Sequence, residues 1–284
     1  MGFAETTLLG AIAGLTIYLG LPAGRLRRVD DRMRVGLGML SVGILAFIFV
    51  DVVGHGQEII QTALHDFKLH RAGFGHVLAL FALLAAAFTA GTAGICSIER
   101  AVRRRLPARP SIAGGDAATV LSASELASRQ SDARRAALRS GLTIAVAIGL
   151  HNFAEGLAIG VSAKTGAIGL ATILIIGFGL HNATEGFGIV GPLGGVRPSW
   201  RWLGLAGLIA GGPTFLGTLL GYQVHSDTLE LAFYALAGGA ILYVVGEIWT
   251  SMRGFGHRAL GLYLLAFGFL FGVATDLIIT YAGA

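Results

Sequence analysis

His151 and Glu155 stand four residues apart, and thirty positions on His181 and Glu185 repeat the spacing. They lie in the related segments Gly149-Leu150-His151-Asn152-Phe153-Ala154-Glu155-Gly156 and Gly179-Leu180-His181-Asn182-Ala183-Thr184-Glu185-Gly186. Residues four apart project from one face of an α-helix. Two such helices set face to face would converge two imidazoles and two carboxylates. That ligand set suits Zn²⁺ and nearly as well Fe²⁺, Mn²⁺, Co²⁺ or Cd²⁺. Two glutamates also neutralise one divalent cation, which lowers the cost of holding it at low dielectric. Ion release is expected to be accompanied by proton uptake, because the emptied site would leave unpaired charge.

The elements that must position these residues are membrane-spanning helices. With 54% hydrophobic and 13% charged residues and a mean hydropathy of +0.73, the 284-residue chain carries more apolar surface than a soluble core can hide. Its 44 glycines fit close helix packing in lipid. Cys96 has no mate, so disulfides do not hold the fold. Leu8 to Leu21 lacks a basic leader and a cleavage site, so it reads as a helix rather than a signal peptide. Eight stretches pass the spanning test, near 4–22, 33–57, 73–98, 140–162, 167–191, 201–222, 229–251 and 258–281. At 1.5 Å rise per residue, His151 lies ~18 Å from Arg139 and ~20 Å from Lys164, at mid-membrane depth. Polar residues there can be hydrogen-bonding glue between helices. Two matching sets at one depth point instead to a functional site.

Arginine and lysine set the expected topology, since loops rich in them stay cytoplasmic. Eighteen of the 21 lie in the segments after helices one, three, five and seven, leaving Lys68, Arg71 and Lys164 on the other side. Both termini are then non-cytoplasmic, and the expected location is a cell membrane, the inner one of a bacterium. The basic balance reports lipid contact rather than nucleic acid. The chain divides into helices one to three (1–105), a cytoplasmic loop (106–139), helices four and five carrying the metal residues (140–191), and helices six to eight (192–284). The loop, rich in Ala, Ser, Gly and Arg, reads as a linker with at most one short helix before Arg139.

The paired His-Asn-x-x-Glu-Gly motifs on the fourth and fifth of eight helices, the basic loop after the third and the outward termini resemble the ZIP (Zrt/Irt-like) divalent-metal transporters. Phe49-Val50-Asp51 with Glu58 is similar to that family's helix-two ending. Ala237-Gly238-Gly239-Ala240 followed by Tyr243-Val244-Val245-Gly246-Glu247 is similar to its helix seven, and Gly211-Gly212-Pro213 stands where the family has a proline kink. The resemblance implies an all-α polytopic fold in a 3+2+3 inverted-repeat arrangement and a zinc-type ion as substrate moving toward the cytoplasm. It also implies an elevator-like movement of helices one, four, five and six against a dimerising remainder, hence a homodimer. It assigns His151, Glu155, His181 and Glu185 to the primary metal site, and Asn152 and Asn182 to an adjoining secondary one. The chain departs from the family where Gly212 replaces a carboxylate and where neutral Asn182 follows the first helix-five ligand. With those anions missing, one tightly held ion is expected.

Further candidates lie toward the ends of the helices. Asp51, His55 and Glu58 follow i, i+4, i+7 spacing at the outer end of helix two, with His65, Asp66, His70 and His76 in the outer loop, as a cation entrance or an ordinary solvated helix end. Glu247 and His257 are candidates for the exit. Asp276, beside Thr275, and Met39 read as structural or packing residues. The competing function is an intramembrane zinc-dependent hydrolase, against which stand the four-ligand set and the absence of His-Glu-x-x-His. A third is a protein that binds metal without releasing it. No cofactor beyond the transported ion is expected.

Overall fold

The computed structural model describes residues 2–26, 30–104, 123–164, 179, 181–223 and 226–283. All regular elements among them are helical. They are α1 (Phe3–Leu15), α2 (Asp31–Lys68), α3 (Phe74–Thr89), α4 (Ile95–Arg104), α5 (Ala123–Lys164), α6 (residues 181–190), α7 (Trp200–Gln223), α8 (Asp227–Arg253) and α9 (Arg258–Gly283). Seven stretches among the described residues are long and apolar enough to cross a membrane. Most of the expected fifth span, 165–178 and 180, lies outside the described residues, as do Arg27, Arg28 and residues 105–122 of the basic segments.

Two expected boundaries move. The side chain of Asp30 accepts from the Met33 amide at 2.8 Å and starts α2. This helix then runs 38 residues, ~57 Å at the α-helical rise, well beyond a hydrocarbon layer of ~30 Å. His65 and Asp66, expected in a loop, therefore lie on its last turn. Only His70, at φ 57°, falls in the turn that follows, and His76 is on the first turn of α3. Likewise α5 begins at Ala123, so the described part of the expected 106–139 linker is helix continuous with the spanning segment. Residues 123–139 contain no glycine or proline and are dominated by Ala and Arg, so intrinsic propensity carries the helix into water. Hydropathy measures only the part of a helix that lipid touches.

Small residues decide how closely these helices pack. A Cβ at Gly149, Gly156 or Gly160 of α5 would strike backbone carbonyls of α7, and one at Gly217 or Gly221 of α7 would strike those of α5. Pro213 interrupts the hydrogen-bond ladder of α7 and frees the carbonyl of Ile209. Gly149 faces that carbonyl and the proline ring, so α5 accommodates the irregular turn. On the other flank, a π-turn at Ala90–Gly94 links α3 to α4. It packs on the Ala-Gly-Gly-Ala segment of α8, where Thr92 Oγ1 donates to the Gly239 carbonyl at 3.0 Å. α2 is held between α8 and α9, with Met39 buried against Gly261 as packing.

Candidate metal centre

α1, α5, α6 and α7 meet around a buried polar cluster. After Leu15 the chain tightens into 3₁₀ turns, Thr16–Leu19 and Leu21–Arg25, and α6 crosses them where Gly20 and Gly186 lie against each other's backbone. This contact, with the glycine packing of α5 on α7, points the two motif faces at one another.

His151, Glu155 and His181 converge there, each offering a ligand atom within 4.8 Å of the others. Glu155 Oε1 lies 2.9 Å from His151 Nε2 and is hydrogen-bonded at 2.5 Å to His181 Nε2. Glu185 stands at the edge of this triplet, its Oε1 3.7 Å from His151 Nε2. An ion held tetrahedrally at about 2.1 Å separates its ligand atoms by about 3.4 Å. Seating one here requires the Glu155 carboxylate to move off the imidazoles by less than about 1 Å. Burial is nearly complete: side-chain exposure is 0% for His151, 4% for Glu155, 1% for Glu185 and 13% for His181.

A carboxylate sealed from water is expensive unless something answers its charge. Glu185 accepts no hydrogen bond of normal geometry at either oxygen, and Glu155 Oε2 accepts none. A divalent cation between them would supply what the protein leaves out.

The motif asparagines make the helix-to-helix hydrogen bonds that the sequence held as the alternative to a metal role. Asn152 Nδ2 donates to the Ala210 carbonyl of α7 at 3.1 Å, and Asn182 Nδ2 donates to the Ala13 carbonyl of α1, also at 3.1 Å. Each tethers its motif helix to a neighbour beside an irregular turn, Pro213 in one case and the α-to-3₁₀ change in the other. Their Oδ1 atoms remain buried without partners, so the tether and a place at the rim of the metal site are compatible. Thr214 Oγ1 on α7 is a further buried oxygen without a partner. Gly212 borders an apolar cavity of about 500 Å³ between α1 and α7, together with Leu15, Tyr18 and Leu208. The residues missed in the sequence are Ala13 and Ala210. The repeated Ile12-Ala13-Gly14 and Ile209-Ala210-Gly211 was the signal for them.

The peripheral candidates divide. His55 and Glu58 border a cavity of about 690 Å³ at the far end of α2, with Asp66, His76, Asp227 and Glu230. Asp51 lies one turn below, 3.7 Å from His55 Nδ1. His65 and His70 do not border that cavity. Glu247 is half-buried on α8 and His257 is exposed in the α8–α9 turn at φ 51°. Neither belongs to the His151, Glu155, His181 group. One turn from Glu247, Tyr243 donates to Glu99 at 2.7 Å, a pairing of α8 with α4. Thr275 bonds back to Phe271 and Gly272 rather than to Asp276.

No protein-family model matches the chain, and no curated protein matches it either.

Proposed function

We propose that the chain is a divalent-cation transporter of the ZIP type, carrying Zn²⁺ or a similar ion through the His151, Glu155, His181 and Glu185 cluster toward the cytoplasm. The observation that supports this most is the convergence of His151, Glu155 and His181 within 4.8 Å of one another, with Glu185 3.7 Å from His151, buried among apolar helices. Such a cluster costs too much to be kept as packing. The cavity at the outer end of α2, with Asp51 below it, is the entrance in this scheme, and Glu247 and His257 serve the exit. The 3+2+3 inverted repeat agrees with two pairs of matching contacts. Asn152 to Ala210 mirrors Asn182 to Ala13, and Gly14 and Gly211 occlude each other reciprocally.

A second reading draws on the same geometry. Three ligands gather tightly while Glu185 stands off, and three protein ligands with a nearby carboxylate also describe a hydrolytic zinc site. Liposomes loaded with a zinc-reporting dye separate the two. Brightening with the native chain, abolished in His151→Ala and Glu185→Ala, is expected for transport. Hydrolysis of a lipid or peptide bond without dye response would replace transport with the enzyme.

A further inference from the structure

The turn joining α8 to α9 brings Arg253, which ends α8, and Arg258, which begins α9, to one cavity of about 410 Å³. Val35 and Met39 of α2, Trp249 of α8 and Leu262 of α9 give it an apolar lining. No acidic residue borders it among the described residues. A second arginine-bordered cavity nearby, with Arg34 and Arg197, differs in that Asp31 pairs with Arg34 at 3.2 Å.

The turn is held in place. Phe255 lies beneath the Arg34 guanidinium, 5.1 Å from it, and its amide donates to Met252 at 3.1 Å. Gly256 and His257 both adopt positive φ, 75° and 51°, which glycine tolerates freely and histidine only under constraint. The two arginines are thus offered from a fixed turn.

We propose that this cavity holds an anionic phospholipid, with its phosphate diester between Arg253 and Arg258 and an acyl chain against Val35, Met39 and Leu262. Arginine matches phosphate oxygens in forked geometry. Basic pockets between spanning helices hold such headgroups. Trp249, one turn inside Arg253, sits where the aromatic belt meets the headgroups. A free phosphate would satisfy the arginines but leave the apolar lining of Val35, Met39 and Leu262 without a partner, so the amphipathic ligand fits the whole cavity. This assignment rests on α8 and α9 crossing a bilayer and is independent of the metal centre.

The test is native mass spectrometry of the full chain in detergent, titrated with phosphatidylglycerol, phosphatidylcholine or inorganic phosphate. One phosphatidylglycerol per chain is expected, held in preference to phosphatidylcholine. The double variant R253Q/R258Q should weaken retention about thirtyfold, from the surface attraction typical of two arginines. Leu262→Glu, at a position 44% exposed, should weaken it too. Arg32→Gln, exposed at the same end of the molecule but outside the cavity, should change it less than about fivefold. Equal retention of both lipids, or an unchanged R253Q/R258Q variant, would overturn the assignment. So would displacement of the lipid by millimolar phosphate, or a dimer that carries no lipid.

Discussion

Gly14 and Gly211 lie back to back where α1 meets α7, and a Cβ on either would run into the carbonyl oxygen of the other. Each directly follows an alanine whose carbonyl receives a motif asparagine, Ala13 from Asn182 and Ala210 from Asn152. This backbone-to-backbone contact of the two helices thus sits one residue from both tethers of the motif helices.

Gly211→Ala should therefore push α1 from α7, at a cost of about 1–3 kcal/mol for overpacking a closed contact. Thermal unfolding in detergent should show a clear drop in midpoint. Gly246→Ala, with open space around its Cβ position, serves as the control and should leave the midpoint unchanged. A Gly211→Ala chain as stable as the control would mean that α1 and α7 are not held together in this way.

Asn182→Ala and Asn182→Asp should rank in an order that a simple ligand would not produce. Alanine forfeits one hydrogen bond, about 0.5–1.5 kcal/mol. Aspartate keeps the shape but sets a carboxylate oxygen against the Ala13 carbonyl, adding an unsatisfied buried acceptor pair. Aspartate should be the less stable variant by unfolding midpoint, although it is the stronger metal ligand. If aspartate instead stabilises the chain and adds a second tight zinc, Asn182 is a ligand position rather than a tether.

What the sequence revealed follows from what periodicity can carry. His151 with Glu155 and His181 with Glu185 were legible because four residues is a helical repeat, and burial in apolar flanks is legible by composition. Their meeting is visible only in the fold, because it depends on glycines of α5 and α7 and on Gly20 beneath Gly186. The end of α2, Glu58 to Lys68, fails a test for spanning length because its polar residues dilute the hydropathy, although Ile59, Ile60, Ala63, Leu64 and Phe67 recur at helical spacing and Ala63 packs with Val77 and Leu80 of α3. Residues 123–139 fail the same test. The π-turn at Ala90–Gly94 leaves no mark in hydropathy at all. The donor role of Asn152 and Asn182 needs a specific carbonyl opposite, and no spacing rule names one across 58 or 169 residues.

Zinc titration by calorimetry should give about one tight equivalent per chain, since His151, Glu155 and His181 with Glu185 beside them serve one ion, and beyond these four the buried oxygens of Asn152, Asn182 and Thr214 are neutral amides and a hydroxyl. Glu155→Gln should weaken binding more than Glu185→Gln, because Glu155 Oε1 sits between both imidazoles. The loss at Glu155 should exceed the roughly 10–100-fold that even an outer partner of a metal site costs. Equal losses would place the ion midway between the carboxylates, and two tight equivalents would refute the single-ion site.

Ion preference should follow the donors. Two imidazoles favour borderline cations, and affinity rises from Mn²⁺ through Fe²⁺ toward Zn²⁺ for nitrogen ligands, so Zn²⁺ and Cd²⁺ should compete best for the His151–His181 pair. In the dye-loaded liposomes, Cd²⁺ added with Zn²⁺ should suppress the zinc signal at comparable concentration, while Mn²⁺ should need at least about tenfold more. Exclusion of both Zn²⁺ and Cd²⁺ would mean that the imidazoles do not reach the ion. The carboxylates alone would then be the ligands, and a hard cation the substrate.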